Sequence, residues 1–265
     1  MTTRIFAWNP RPFIFNGRLR KVLPLKRKNH VNNFGDLLGP LIVSGLLKAR
    51  GMGDRVAAGR DLTLFSIGSV LHFARTGDVV WGTGVNGKVE PGAHTFTDLD
   101  VRAVRGPLTR SFLLERGIDC PPVYGDPGLL VPKVMPHLVE LAGDKKYALT
   151  VIPNLNDLPS YEASDSLVSP ILPVEAVLER IAQSELVVGS SLHAIIVAEA
   201  LGVPARLVAT SRESPFKYED YYRGSGRTEF EMAATVADAV RLGGEQPLDF
   251  DPDPLMQAFP YDLWE

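Results

Sequence analysis

The sequence predicts an α/β fold with mostly parallel sheets. Three observations carry that expectation. Short β-branched runs alternate with longer stretches of helical apolar spacing along most of the 265 residues. Helix punctuation agrees, with Gly117 closing one stretch and Pro173 opening another. The composition, 45% hydrophobic and 22% charged, supplies ample apolar material for a core.

NNFGDLLGP (32–40) leads into an apolar helical run, with Gly35 permitting a tight turn and Asp36 placed to cap the helix. LTLFSI (62–67) and DVVW (78–81) read as strands. Residues 100–104 form a strand feeding the helix PLTRSFLLER (107–116), and 123–124 end at the turn GDPG. YALTVI (147–152) and 168–172 read as strands, followed by the helix PVEAVLERIAQ (173–183). A strand at 186–188, a helix at 192–201, a strand at 205–209 and an amphipathic helix at 230–242 complete the series. RESPFKYEDYYRGSGR (212–227) reads as a loop. VPKVMPHLVELAGDKK breaks the alternation, which places a boundary near residue 140. The acidic, proline-rich tail PLDFDPDPLMQAFPYDLWE carries Phe259, Tyr261, Leu263 and Trp264, residues suited to docking on a surface.

Composition also excludes function classes. A formal net charge of -3 gives no global case for nucleic-acid binding. Cys120 is the sole cysteine, so neither a disulfide framework nor a cysteine metal cluster is expected, and a reducing compartment is the natural reading. MTTRIFAWNPRPFIF has no long apolar segment of a signal peptide, and no run approaches the ~18 apolar residues of a spanning helix. His30, His72, His94, His137 and His193 show no ligand spacing, so no metal site is expected. Neither G-x-S-x-G nor a Walker A loop is present. WGTGVNG (Gly82, Gly84, Gly87) matches the dinucleotide fingerprint in spacing, but Pro91 and Gly92 follow where the motif needs a helix. These glycines read instead as sites of close backbone approach beside a cleft.

RLRKVLPLKRKNH concentrates Arg18, Arg20, Lys21, Lys26, Arg27 and Lys28 among leucines. It is either a solvated loop or a segment drawn to anionic lipid or a diphosphate, at about 1 kcal/mol per basic residue near a charged membrane.

The most specific stretch is VVGSSLHAIIVAEALGVPA. Ser190 or Ser191 can cap a helix that puts His193 in its first turn. Unpaired N–H groups there form an anion site, and the positive helix end favours neutral imidazole able to accept a hydroxyl proton. The bland alternative is a histidine satisfied by a backbone carbonyl. Arg102, Arg105 and Arg110 surround a strand-to-helix turn, where an arginine offers a bidentate fork for carboxylate or phosphate; a surface ion pair suits Arg110 as well, and Arg105, directly before the Gly-Pro turn, less so. Arg212, Lys217, Arg223 and Arg227 sit beside Tyr218, Tyr221 and Tyr222, suiting either an anionic ligand or a solvated surface. Asp126 suffices as a turn former in Gly-Asp-Pro-Gly.

Taken in order, NFGDLLGP, SIGSVLH, VWGTGVNG, VRAVRGPLTRSFLLERGI, YGDPGLL and SELVVGSSLHAIIVAEALGVPA with FKYEDYYRGSG resemble the polysaccharide pyruvyl transferase family over roughly residues 30–226. The short chain and AFPYDLW tail look most like its xanthan-type or succinoglycan-type ketal transferases. The resemblance implies a GT-B-like fold, two Rossmann-like domains facing a cleft: 1–140 on the acceptor side, 141–245 on the donor side, and 246–265 as a tail docking back. It implies phosphoenolpyruvate as donor, no cofactor, and a lipid-diphosphate-linked oligosaccharide as acceptor, its terminal sugar receiving a 4,6-type pyruvate ketal. Work on such an acceptor implies a cytoplasmic protein peripheral to the anionic inner-membrane face. His193 and Asp36 are the expected catalytic residues, His193 as base for a sugar hydroxyl or else as a phosphate contact, Asp36 as general acid or else as a contact to a sugar hydroxyl. Arg105, Lys217, Ser190, Ser191, Asp126, Arg212, Gly84 and Asn33 are the expected substrate contacts. Some relatives carry arginine just before Leu-His; Ser191 stands there in this chain, so that cation must come from Arg105, Lys217 or Arg212. Two other readings share the sequence: a glycosyltransferase using a sugar nucleotide, and a non-catalytic scaffold binding lipid-linked glycan.

Overall fold

The structure, a computed structural model, describes residues 4–12, 25–53 and 62–265. Four parallel strands form one sheet in sequential order: β1 (Arg4–Ile5), β2 (Thr63–Phe65), β3 (Val79–Trp81) and β4 (Asp100–Ala103). A parallel bridge from Val104 to Tyr124 continues it. Three parallel strands form the second sheet: β5 (Thr150–Val151), β6 (Val187–Gly189) and β7 (Ala205–Leu207). Bridges from Val151 to Leu167 and from Val208 to Ala233 flank it. Strands buried on both faces suit the β-branched runs read in the sequence.

The helices are α1 (Phe34–Ala49), α2 (Pro107–Leu114), α3 (Val131–Val134), α4 (His137–Ala142), α5 (Val174–Ala182), α6 (Leu192–Ala200), α7 (Phe216–Gly224), α8 (Val236–Leu242) and α9 (Asp253–Gln257). Phe34, Leu38, Ile42 and Leu46 recur every fourth residue and give α1 one buried stripe. The α6 segment Ala194 to Ala198 is buried all round, which explains why AIIVA lacks a polar face. One apolar cluster joins α1, α5 and α6 to Leu64 and Trp81 of the first sheet and to Val187 and Leu207 of the second. The tail packs on the first sheet. The Trp81 indole N–H donates to the Leu255 carbonyl at 2.8 Å, and Phe259 meets the Trp81 ring edge-on at 4.8 Å.

Several local expectations change. Residues 216–224 are the helix α7 rather than loop, because Tyr218, Tyr221 and Tyr222 fall at i, i+3 and i+4 and are buried as core. The strand expected at 168–172 reduces to the bridge at Leu167, since Pro170 and Pro173 interrupt the segment. The helix at 230–242 begins only at Val236, capped by the Thr235 hydroxyl accepting from the Asp238 N–H at 3.1 Å; Phe230 instead stacks on Tyr222. Strand β1 and helix α9 went unread. Arg18, Arg20 and Lys21 lie outside the described residues.

Candidate active site

A cavity of about 260 Å³ opens where the two sheets end. Its walls follow the C-terminal ends of β1 (Trp8), β2 (Ser69, Val70, His72, Phe73), β3 (Asn86, Lys88), β5 (Asn154 to Asn156), β6 (Ser191 to His193) and β7 (Glu213, Lys217), with Asn33 and Asp36 from the start of α1. Ligands of open parallel sheets bind at this edge, because each strand there hands the chain to a loop or helix start that points outward.

Asp36 lies inside the first turn of α1, not at its cap; Asn33 holds the cap position and its amide donates to Asp36 Oδ2 at 2.6 Å. Burial pushes the Asp36 carboxyl up to about 6, against the opposing pull of the Asn33 bond and of Lys217. Pro40 within the same helix withholds the N–H that the Asp36 carbonyl would otherwise accept.

His193 occupies the second position of α6, beneath Gly35. A side chain at residue 35 would collide with the imidazole, which is why glycine stands there. Burial holds the ring down to about 3, with Lys217 and Arg105 adding to the effect. The imidazole is neutral at physiological pH, chiefly through desolvation rather than the helix end the sequence suggested. Asp126 sits behind it, wholly buried, its Oδ1 accepting from the Gly128 N–H at 2.9 Å. Burial raises the Asp126 carboxyl to about 6.

The cationic wall comprises Lys88 and Lys217 bridged by Glu213: Oε1 lies 2.8 Å from Lys88 Nζ and Oε2 3.0 Å from Lys217 Nζ, while the Asn156 amide donates to Oε1 at 2.8 Å. Burial opposes ionisation of Glu213, but Lys217 and the bonds from Lys88 and Asn156 outweigh it and hold the carboxyl low. Desolvation lowers Lys217 in turn.

The structure thus gathers Asp36, Asn33, Ser191, His193 and Lys217 around one cavity. The other expected contacts stand elsewhere. Arg105 is 1% exposed and donates to Asp220, to Ser69 Oγ at 2.7 Å and to the Val85 carbonyl at 3.1 Å. It therefore supports the cavity-lining Ser69 from behind and does not itself line the cavity. Gly84 leaves room for that guanidinium, which a side chain would strike, and does not line the cavity. Neither serine side chain caps α6: Ser191 holds the cap position without a side-chain bond, and the buried Ser190 hydroxyl donates to Asp157 Oδ2 at 2.6 Å. That bond ties down the 154–157 loop, whose Asn154 N–H donates to Ser190 Oγ at 3.0 Å. Asp126 contacts the cavity only through His193. Arg212 projects outward, 56% exposed, 3.7 Å from Asp157. Lys88 and Glu213 went unread; a lysine after the glycine turn that ends β3 was the available signal for the first.

Residues 8–212 match the family described as Polysaccharide pyruvyl transferase. This chain belongs to the polysaccharide pyruvyl transferase family. It is 30% identical over 210 residues to the succinoglycan biosynthesis protein ExoV of Rhizobium meliloti (strain 1021), a match covering 74% of this chain and 62% of that relative. The chain therefore spans less than two thirds of the length of the curated relative. Among the described residues, no group of three or more His, Cys, Asp or Glu forms a metal site, and no helix is long and apolar enough to cross a membrane.

Proposed function

We propose that this member of the family transfers pyruvate from phosphoenolpyruvate to two hydroxyls of a sugar in an exopolysaccharide repeat unit, forming a 4,6-type ketal. One observation carries the reading: a cavity that pairs a cationic wall with a carboxyl raised to about 6 and an imidazole kept neutral. Lys88 and Lys217 suit the phosphate and carboxylate of the donor, and the first-turn N–H groups of α6, left uncapped by Ser191, add donors for an anion. Lys217 and Lys88 take the place of the arginine that some relatives carry at the Ser191 position.

The chemistry balances on two groups. Protonated Asp36 gives its proton to the donor methylene, which becomes methyl, and the central carbon turns cation-like. One sugar hydroxyl forms a C–O bond to that carbon and passes its proton to His193. The bond from carbon to the phosphate oxygen breaks, and the phosphate departs with the proton from His193. The second hydroxyl closes the ketal and returns a proton to Asp36. The two sheets facing this cavity support a GT-B-like reading, and exposed Lys26, Arg27 and Lys28 suit contact with an anionic inner-membrane face bearing a lipid-diphosphate-linked acceptor.

Calorimetry tests the donor. Phosphoenolpyruvate should bind and nucleotide sugars should not; the reverse preference would transfer the case to a sugar-nucleotide glycosyltransferase. Loss of vesicle binding on neutralising Lys26, Arg27 and Lys28 tests the membrane contact, and unchanged binding removes it.

A further inference from the structure

The two ring nitrogens of His193 have different surroundings. Nε2 is buried and faces Asp126 Oδ2 at 3.9 Å. Among the described residues neither atom has a hydrogen-bond partner. Two buried polar atoms left unpaired are costly, and two that face each other are mutually explanatory. The separation exceeds a hydrogen bond by about 1 Å, as catalytic contacts often do before a ligand closes the site. Nδ1 lies on the other edge of the ring, against Gly35 at the start of α1, where Asn33 and Asp36 line the cavity.

We propose that Asp126 is a positioning residue that holds the proton of His193 on Nε2, so that Nδ1 presents its lone pair to the cavity. A neutral imidazole carries one proton, and the partner of one nitrogen fixes the role of the other. Asp126 is suited to this task because its second oxygen is already anchored by the Gly128 N–H and the carboxyl cannot swing away. Lys217 and Arg105 also face the ring electrostatically, and Arg105 and Asp220 act on Asp126. None of these hydrogen-bonds to Nε2. The assignment makes Nδ1 the atom that receives the sugar proton, and in that respect it rests on the proposed transfer.

The test is the ¹⁵N spectrum of the His193 imidazole in the full chain at pH 8, where Asp126 is ionised and His193 neutral. The wild type should show the Nε2–H tautomer. Asp126→Asn keeps an oxygen for the Gly128 N–H and turns an amide N–H toward Nε2, so the ring should switch to Nδ1–H. In that variant kcat should fall by about 100-fold or more while KM for phosphoenolpyruvate changes little. A wild-type ring already protonated on Nδ1, or a tautomer that Asp126→Asn leaves unchanged, would overturn the proposal. Those outcomes do not depend on the reaction. If the tautomer switches and phosphoenolpyruvate is not a substrate, the positioning stands and the proposed transfer alone fails.

Discussion

Arg105 and Asp220, 115 residues apart in the chain, form an ion pair whose side chains are 1% and 0% exposed. The pair locks α7 onto the turn after β4. Thr109 adds its N–H at 3.0 Å and hydroxyl at 2.7 Å to the same carboxylate, so the buried charge is met by several donors. Gly106 and Gly224 let the two backbones approach, for a Cβ at either would strike the opposing carbonyl.

Asp220→Ala should therefore destabilise the protein by about 3–5 kcal/mol, because it leaves the Arg105 guanidinium buried and unpaired. Chemical denaturation measures this. A loss below 1 kcal/mol would show that water or rearrangement satisfies Arg105 and that the pair does not hold α7 in place.

Lys217→Ala should weaken phosphoenolpyruvate binding by on the order of 10-fold or more, since one hydrogen bond to a charged group is worth about 1.5–3 kcal/mol. Calorimetry gives the value. Lys88→Ala should act in the same direction, and unchanged affinity in both variants would move the donor away from the cationic wall.

If Asp36 is the general acid and ionised Asp126 orients His193, kcat/KM, corrected for ionisation of the donor, should peak near pH 6, falling above it as Asp36 ionises and below it as Asp126 is protonated. His193, held near 3, should add no limb between pH 5 and 8. Asp36→Asn should abolish most activity and, with it, the limb on the alkaline side. Stability runs the same way. The folded carboxyl titrates above its ordinary 3.8, so its contribution is complete below that value and is lost as pH rises through about 6. Asp36→Asn should thus raise Tm relative to wild type more at pH 8 than at pH 4. An equal shift at both would contradict the buried-carboxyl account.

Gly35→Ala adds a methyl in the space of the His193 ring. Kinetics should show at least a 10-fold loss of kcat from the displaced ring, although alanine favours the helix by up to about 1 kcal/mol. Normal turnover would mean that the ring position is not critical.

How much of this was legible in the sequence depends on whether the signal was local. The α/β alternation and the strand-to-helix turn before His193 are short-range patterns, and the structure has them. Asp36, Asn33, Ser191, His193 and Lys217 could be singled out because their motifs end strands or begin helices. Arg105 could be singled out too, but its role could not: the residue that neutralises it, Asp220, belongs to a segment that read as loop. The tyrosines of that segment suit a ligand surface or a solvated loop equally by local pattern, and it is their helical spacing in the fold that puts them in the core. Likewise Asp126 read as a turn former. Its bearing on His193 arises from packing between residues 67 positions apart in the chain, for which the local pattern carries no sign.

The most direct measurement of the central claim is product analysis with phosphoenolpyruvate and defined lipid-linked acceptors ending in mannose, glucose or galactose. Mass spectrometry and phosphate release should show one pyruvate ketal on the terminal sugar of a preferred acceptor for each phosphate freed. Intact phosphoenolpyruvate with every acceptor, together with glycosyl transfer from a nucleotide sugar, would contradict it.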